Sequence, residues 1–418
     1  MELESEQGGS GLRHRWSNAL VILWSEPSWS LVMAWQASYQ TIFLVAEGLS
    51  PVGVGLAVGA AGLLQAVGLT LVDTLTSRFG RKWVIQAGDF LGWVVVLGLW
   101  VLYPRPWTFA VGLVLMNATA FVMPAWNSLF CEDLSSDRVT YYYLVLQLLG
   151  LLGGLAVPLL VPWVHAYGVK GSGARVLAIG WPLVTVAWLV RLVWMRESRA
   201  GRAAQHAHRT GVRPSIRHRI GEGTQGTLKT LAALRVLVRV PIALFTTLAP
   251  LVLVASRAEA LSPTLLAYLP LAGSVAGGVV MLTHSRWGGR DPKHLLVLSL
   301  VLMTVGMAML SFAPAGEVLP VMVAWALVAA GQAWFWSVHT PLWVASLPPV
   351  ARVTVQGWTG AVSALLVTVL APLLAAFVVA MPRLVALLWV MPVAAGLVLM
   401  LATPTLPAPL HGGEQAEA

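Results

Sequence analysis

Charged residues are scarce in this sequence, where they make up only 10% of 418 positions. A soluble domain carries about 25% charged residues, so this chain has too little polar surface to remain dissolved in water. Hydrophobic residues make up 58% of the chain, and its mean hydropathy is +0.78. These values predict an integral membrane protein with room for about twelve helices of roughly 20 apolar residues each.

Cysteine is almost absent as well, because Cys131 is the only one in the chain. A single cysteine excludes an internal disulfide and any metal site built from several cysteines. No Lys follows a Gly, so the sequence lacks the G-K-[ST] loop with which many ATPases bind phosphate. The H-E-x-x-H and G-x-S-x-G hydrolase signatures are missing too. We therefore predict a protein that is not an enzyme and that holds no cofactor or metal.

What the sequence does contain is a series of long apolar runs bounded by Pro, Gly and charge. Most runs are too long for a barrel strand, and a helix satisfies its own backbone hydrogen bonds within lipid. They predict an all-α membrane protein with twelve transmembrane helices. The predicted spans are 27–46, 52–74, 83–103, 107–130, 139–165, 175–195, 236–256, 263–284, 294–313, 318–339, 353–379 and 384–402.

The basic residues are distributed unevenly among the predicted loops. If the N-terminus is cytoplasmic, the loops on the far side hold only Arg105, Lys170, Arg175, Arg257 and Arg383. Because cytoplasmic loops are enriched in Lys and Arg, this bias predicts a multi-pass protein of the inner or plasma membrane with both termini in the cytoplasm. The net charge of +9 then requires no nucleic-acid partner.

A basic segment without a long apolar run, residues 196–235, separates the first six predicted spans from the last six. It predicts a cytoplasmic linker between two six-helix bundles, 27–195 and 236–402. Residues 1–26 are predicted to form a cytoplasmic N-terminus that ends in a short Trp-bearing stretch, either an interfacial helix or an early start of span one. Residues 403–418 are predicted to form a cytoplasmic tail.

The two halves carry matching segments in the same order. SRFGRK at 77–82 recurs as SRWGGR at 285–290, and the ends of spans four and ten pair Pro124 with Pro341. Two pseudo-symmetric halves of six spans are typical of transporters that expose a central site to each side in turn. The repeated hexapeptide marks the turn between spans two and three of each half, where Gly80 can adopt a positive φ.

Two windows carry a resemblance to a known family. DTLTSRFGRK at 73–82 resembles the form G-x-x-x-D-R-x-G-R-K between the second and third helices, which it matches at Arg78, Gly80, Arg81 and Lys82. PAWNSLFCEDLSSDR at 124–138 is similar to a fourth-helix exit with P-A, E-L and then an acid and Arg. With these windows, the twelve spans and the linker, almost the whole chain resembles the major facilitator superfamily, in particular its bacterial drug/proton antiporter-like branch.

The resemblance implies that the loop motif holds the two halves closed on their cytoplasmic side through a network of charges. Here Ser77 stands where the family has Asp, and Asp73 stands where it has Gly. Asp73 lies one helical turn before Ser77 on the same face, so it either replaces the missing Asp or is merely solvated at the helix end. The predicted gating residues are Asp73, Arg78, Gly80, Arg81, Lys82 and, in the second copy, Arg286.

The resemblance further implies that spans one, four, seven and ten line the transport path. Three of these spans carry polar residues, mostly at helical spacing, and a buried amide in lipid is costly unless it faces a partner. Hydrogen bonds between helices, with no substrate involved, are the alternative explanation. The candidate cavity residues are Gln36, Tyr39, Gln40, Asn117, Asn127, Gln332, Trp336 and His339.

Asp89 is the only acidic residue well inside a predicted span. A carboxylate within the membrane is a candidate for binding a coupling proton. The alternative is an ion pair with an arginine in a loop.

These features predict a secondary active transporter that moves small organic solutes by alternating access. The 20 Trp residues favour amphipathic compounds, and we expect proton-coupled efflux. Uptake of polar solutes such as sugars or metabolites is one alternative, and a non-transporting membrane receptor or scaffold is another. The expected partners are a small-molecule substrate, the lipid bilayer and protons, with the protein itself a monomer.

Overall fold

The computed structural model describes residues 17–132, 134, 136–211, 225–255, 262–287, 291–313, 317–347, 351–378 and 380–403. Within these ranges all regular structure is helical, and ten helices are long and apolar enough to cross a membrane. One of the ten, 141–194, comprises two spans because Gly168, with a φ of 65°, interrupts it. Residues 18–46 add one more, so the described chain contains the twelve spans that we predicted.

The first half begins with a span that is longer than predicted. Its six spans are 18–46, Pro51–Phe79, Arg81–Leu102, Pro106–Glu132, 136–167 and 169–194. The Trp-bearing stretch before residue 27 is therefore the early start of span one. Two spans begin with Pro in their first turn, Pro51 and Pro106, where the missing N–H has no helical partner to lose.

Two spans of this half contain a turn of π-helix. One is Gln36–Gln40 in span one, and the other is Phe90–Val95 in span three. A π-helical turn is rare and occurs frequently at functional sites. The turn in span one contains all three candidate cavity residues of that span.

The second half has the six spans Gln225–Ala255, 265–287, Pro292–Phe312, Val318–Ala345, Arg352–Phe377 and Pro382–Ala402. Span seven begins at Gln225 rather than at 236, because the stretch TLAALRVLVRV contains no helix breaker. Arg235, which we assigned to the linker, consequently lies inside a span.

In the described part of the linker before span seven, residues Arg199–Arg209 form a helix, here called the linker helix. The Ser198 hydroxyl caps its start by accepting the N–H of Gly201 at 2.9 Å. Basic residues occupy its last turn, where the helix dipole favours cations. The helix packs against span two. Its low apolar content gave no helical pattern in the sequence, so contact with the bundle stabilises it.

Spans two and eleven join the halves through residues without bulky side chains. A methyl group on Gly55 would lie 2.5 Å from the Ala375 Cβ, which is closer than two carbon atoms can approach. Further along the interface, a methyl group on Gly357 would lie 2.5 Å from the backbone oxygen of Leu69. Glycine therefore allows the two spans to touch along most of their length, as small residues do at helix contacts in membranes.

Candidate functional site

A cavity of about 210 Å³ lies between the two halves. Spans two and four contribute its lining from the first half, and spans seven and eleven contribute it from the second. The lining residues are Val58, Gly62, Gln65, Asn117, Ala120, Arg239, Ala243, Thr246, Thr247, Ser363, Ala364 and Val367. Of the spans that we expected to line the path, four and seven do so in this structure.

The polar lining offers both donors and acceptors to a solute. The hydroxyl groups of Thr246 and Thr247 donate to backbone oxygens of their own helix, at 3.0 and 2.9 Å, so their oxygens keep lone pairs that can accept. Asn117 donates its amide N–H to the Leu113 oxygen at 2.8 Å. Arg239 brings a guanidinium, which only donates. This combination suits a small polar solute.

Span one places its three candidates beside the cavity or between the halves. Gln36 and Gln40 direct their amide groups at the sulfur of Met116, at 3.0 and 3.8 Å, next to Asn117. The Tyr39 hydroxyl donates instead to the Pro263 oxygen at 2.7 Å, so it joins the first half to the second. Tyr39 thus stands in a closing contact and not in the cavity lining.

The candidates of span ten lie away from the cavity. His339 is fully buried, with Nε2 3.0 Å from the Leu231 oxygen, and its ring is stacked with those of Phe335 and Trp343. Trp336 lies next to the same layer, 4.9 Å from Phe335 by ring centroid. His339 is therefore packed among aromatic rings of its own span and does not line the cavity described above.

Two further candidates are also outside the lining. Asn127 accepts a hydrogen bond from the Tyr143 hydroxyl at 3.3 Å in a buried cluster at the end of span four. Gln332 is half-buried and does not line the cavity. Asn117 is therefore the one candidate that lines it directly.

Three polar residues that line the cavity were not predicted from the sequence: Gln65, Arg239 and Ser363. Arg239 was counted among the basic residues that flank the linker, because the boundary of span seven was placed at 236. The missed signal is the spacing of Arg235 and Arg239, which puts two cations on one face of an otherwise apolar helix.

A network of charges lies where spans two and three meet, at what is here called the turn end. Arg81 and Glu132 form a buried ion pair, and the Ser198 hydroxyl donates to the same Glu132. The backbone N–H of Lys82 donates to the Glu197 carboxylate at 3.0 Å. Burial raises the pKa of Glu197, while that hydrogen bond and the Arg81 charge oppose the rise. The network ties spans three and four to the linker.

Of the predicted gating residues, Arg81 belongs to this network and Arg78 does not. Arg78 is exposed, with its guanidinium 5.1 Å from the ring of Phe79, and it makes no ion pair with Asp73. The Ser77 hydroxyl donates to the Thr74 oxygen at 3.1 Å. Arg78 is exposed at the end of span two, whereas Arg81 follows the turn and is buried. A gating role for Arg78 stays a prediction.

The second copy of the hexapeptide is only partly described. The backbone of Arg286 belongs to the end of span eight, but its side chain lies outside the described residues, as do residues 288–290. Its gating role stays a prediction.

Asp89 forms an ion pair with an arginine of another span and not with one in a loop. Arg191 approaches Asp89 at 3.4 Å and Glu26 at 3.0 Å, and its Nε donates to the Ser25 hydroxyl at 2.7 Å. The ring of Trp29 lies 4.0 Å from the same guanidinium. This buried cluster joins spans one, three and six within the first half, and it does not line the cavity.

Comparisons with known proteins match the fold but not the sequence. No protein-family model and no curated protein matches the chain. The human organic anion transporter MFSD10 (TETRAN) aligns with a TM-score of 0.61 and 13% identity, over 92% of this chain and 97% of its own. The nucleoside transporter NupG aligns with a TM-score of 0.58 and 12% identity, over 93% of this chain and 98% of its own.

An auto-inhibited peptide transporter of the POT family is similar to the same extent, with a TM-score of 0.58 and 15% identity over 92% of this chain and 95% of its own. At such low identity these likenesses concern the fold, and each extends over more than nine tenths of the chain. The chain therefore shares the fold of these solved proteins, with its twelve helices in two six-helix halves and a cavity between them.

Proposed function

We propose that this protein is a secondary active transporter that carries small polar organic solutes through the cavity between its halves. The observation that supports this proposal most directly is that both halves line one cavity and touch each other on either side of it. Such an arrangement suits alternating access, in which each contact opens in turn.

Spans two and eleven touch each other on both sides of the cavity. The residues of span two that line it fall between Gly55, which packs on Ala375, and Leu69, which packs on Gly357. Away from the turn end, hydrogen bonds add to the closure. The Thr41 hydroxyl donates to the backbone oxygen of Thr247 at 2.7 Å, and this hydrogen bond joins the first half to the second.

The size and lining of the cavity favour small polar solutes over the amphipathic compounds that we expected. Its volume of about 210 Å³ is below the roughly 300–1,000 Å³ of pockets for drug-sized ligands. None of its lining residues is aromatic, although the chain contains 20 Trp. The described Trp side chains pack within the halves or face outward instead.

Gly62 and Gly278 provide a matched pair of variants for testing transport. Gly62 lines the cavity, and a methyl group on it would lie 2.6 Å from the Thr368 hydroxyl, whereas nothing lies within 4 Å of the same position at Gly278. We expect Gly62→Leu to reduce flux at least tenfold, because its side chain enters the cavity and separates the halves. Gly278→Leu should transport normally. Both are measured as counterflow of labelled sugars, nucleosides, amino acids and organic acids in vesicles.

Protein-free vesicles serve as the background in this assay. Saturable counterflow of at least one solute class by the native protein is the expected result. Saturable binding without counterflow would instead support the receptor alternative and contradict transport.

We further propose that the cluster around Arg191 binds the coupling proton. The cluster holds two carboxylates, Asp89 and Glu26, for one guanidinium. A proton on either carboxylate therefore makes the cluster as a whole neutral. A short 3₁₀ turn of span four, Thr119–Val122, lies between this region and the cavity, with Val122 packed on Gly88 beside Asp89. A 3₁₀ turn within a longer helix is a frequent hinge, so the cluster and the cavity share a deformable element.

Asp89→Asn is expected to abolish solute accumulation driven by a proton gradient, since the proton site is lost. The same variant should retain counterflow, which needs no gradient, because Arg191 still pairs with Glu26. Accumulation and counterflow are measured on the same vesicles, with a protonophore as control. Accumulation at the native level in Asp89→Asn would contradict the assignment.

A further inference from the structure

Span seven carries two arginines inside the protein, Arg235 and Arg239. They are one helical turn apart, which places their Cβ atoms about 5–6 Å from each other on one face. Arg239 lines the cavity, and Arg235 lies behind it with only 8% of its surface exposed. Two like charges so close within a bundle repel each other, so the pair needs an explanation.

Neither cation has a carboxylate partner among the described residues. The Nε and Nη1 atoms of Arg235 are buried without a hydrogen-bond partner, and Arg239 makes no hydrogen bond or ion pair in the described part of the chain. No described Asp or Glu lines the cavity. The described acids that pair with Arg or Lys do so elsewhere: Glu26 and Asp89 with Arg191, Glu47 with Lys170, and Glu132 with Arg81.

Aromatic rings compensate one of the two charges. The guanidinium of Arg235 lies 5.4 Å from the ring of Trp336 and 5.9 Å from that of Trp343, within the range of cation–π attraction. Arg239 has no such ring contact in the described structure. An unpaired charge inside a membrane protein is costly, and such residues commonly mark the path of a substrate or ion. The charge of Arg239 is therefore left for a ligand.

We propose that Arg239 binds the carboxylate of the transported solute, so that the substrates are small organic anions. A guanidinium presents two parallel N–H groups that match the two oxygens of a carboxylate. Gln65, Asn117 and the two threonine hydroxyls would then bind the polar remainder of the solute. One accessible guanidinium fits a single negative charge, and this favours a carboxylate over a doubly charged phosphate. The assignment rests on the transport function proposed above.

Binding of simple carboxylates to the purified full-length protein tests the charge of the site. The probes are acetate, pyruvate, succinate and benzoate, each compared with its neutral amide and with glycerol phosphate. Cys131 is buried, so a thiol-reactive dye that labels it on unfolding reports the melting temperature. We expect at least one carboxylate to raise the Tm and its amide to have no effect. Equal shifts with the amides, no shift with any carboxylate, or a larger shift with glycerol phosphate would overturn the proposal.

Variants of Arg239 test whether the carboxylate binds at this residue. Arg239→Gln is expected to weaken carboxylate binding about 10- to 100-fold, because it removes a hydrogen bond between charged groups. Arg239→Lys should retain part of the affinity, since it keeps the charge but not the fork. Arg209→Gln, at an exposed arginine of the linker helix, should bind like the native protein. Native affinity in Arg239→Gln would show that the carboxylate binds elsewhere.

The stability of the unliganded variant is a second and independent measurement. If Arg239 is an uncompensated cation, Arg239→Gln without ligand should melt at the native temperature or above it, because a repulsion with Arg235 is removed. If Arg239 were part of a structural pair, the same variant would melt lower, and the proposal would fail.

The two proposals fail differently. Saturable counterflow of a neutral solute that survives in Arg239→Gln would uphold transport and overturn the anion site. Carboxylate binding that depends on Arg239, without counterflow of any solute, would uphold the site and overturn transport.

Discussion

Gly80→Ala is expected to abolish transport, while Gly168→Ala leaves most of it. The two glycines adopt the same unusual backbone conformation, with φ of 92° and ψ of 155° at Gly80 and φ of 65° and ψ of −178° at Gly168. A side chain in this region costs about 1–3 kcal/mol at either position. Comparison of the two variants therefore distinguishes the effect of backbone strain from the effect of the side chains that surround the turn.

The surroundings differ sharply. A methyl group on Gly80 would overlap the Glu197 carboxylate and lie 2.9 Å from the amide nitrogen of Gln205, whereas nothing lies within 4 Å of the corresponding point at Gly168. Alanine at 80 must displace Glu197 from the N–H of Lys82, at a further cost of about 1.5–3 kcal/mol for a hydrogen bond to a charged group. We expect a total loss of roughly 2.5–6 kcal/mol at Gly80 and about 1–3 kcal/mol at Gly168.

Transport is affected because the displaced contacts connect the turn to the linker. Counterflow is measured with equal amounts of inserted protein, and the melting temperature is measured on the same preparations. Equal losses in the two variants would show that backbone strain alone matters and that the contact with Glu197 does not.

Arg191→Met should prevent the protein from accumulating in folded form. The guanidinium of Arg191 is 4% exposed and pairs with both Asp89 and Glu26. Removing one partner of a buried ion pair costs about 3–5 kcal/mol, because the remaining charge is left without compensation. Here two carboxylates remain, so we expect a loss of about 5 kcal/mol, at the upper end of that range.

Neutralising the carboxylates should restore the fold. The triple variant Glu26→Gln, Asp89→Asn, Arg191→Met contains no buried charge at this place, and replacement of a whole buried ion cluster by neutral groups is often tolerated. The measurements are the yield of monodisperse protein in detergent and its melting temperature. A folded Arg191→Met variant with native Tm would show that the cluster does not stabilise the first half.

Local patterns in the sequence determined the architecture. Hydrophobic length alone determined twelve spans, because each helix in lipid must satisfy its own backbone hydrogen bonds wherever its neighbours lie. The basic segment after residue 195 marked the connection between the halves, and the repeated hexapeptide located the turn at Gly80, whose positive φ is a property of one residue.

Sequence reasoning was less successful with the site, since it depends on how helices rotate and slide against one another. The polar content of span four selected Asn117, which lines the cavity, whereas the spacing in span ten selected His339, which packs among aromatic rings away from it. The placement of Arg239 on the cavity and of Arg235 behind it follows from the packing of span seven against its neighbours, which no local pattern records.

Partners across the chain were decided only by the tertiary structure. Arg191 pairs with Asp89 at a separation of 102 residues, and Lys82 meets Glu197 at a separation of 115. Which cation meets which carboxylate depends on the order of the helices around the bundle and on their depth, and helix packing sets both. The sequence determined that there would be spans, halves and a turn, and the packing decided which charges are neutralised and which one faces the cavity.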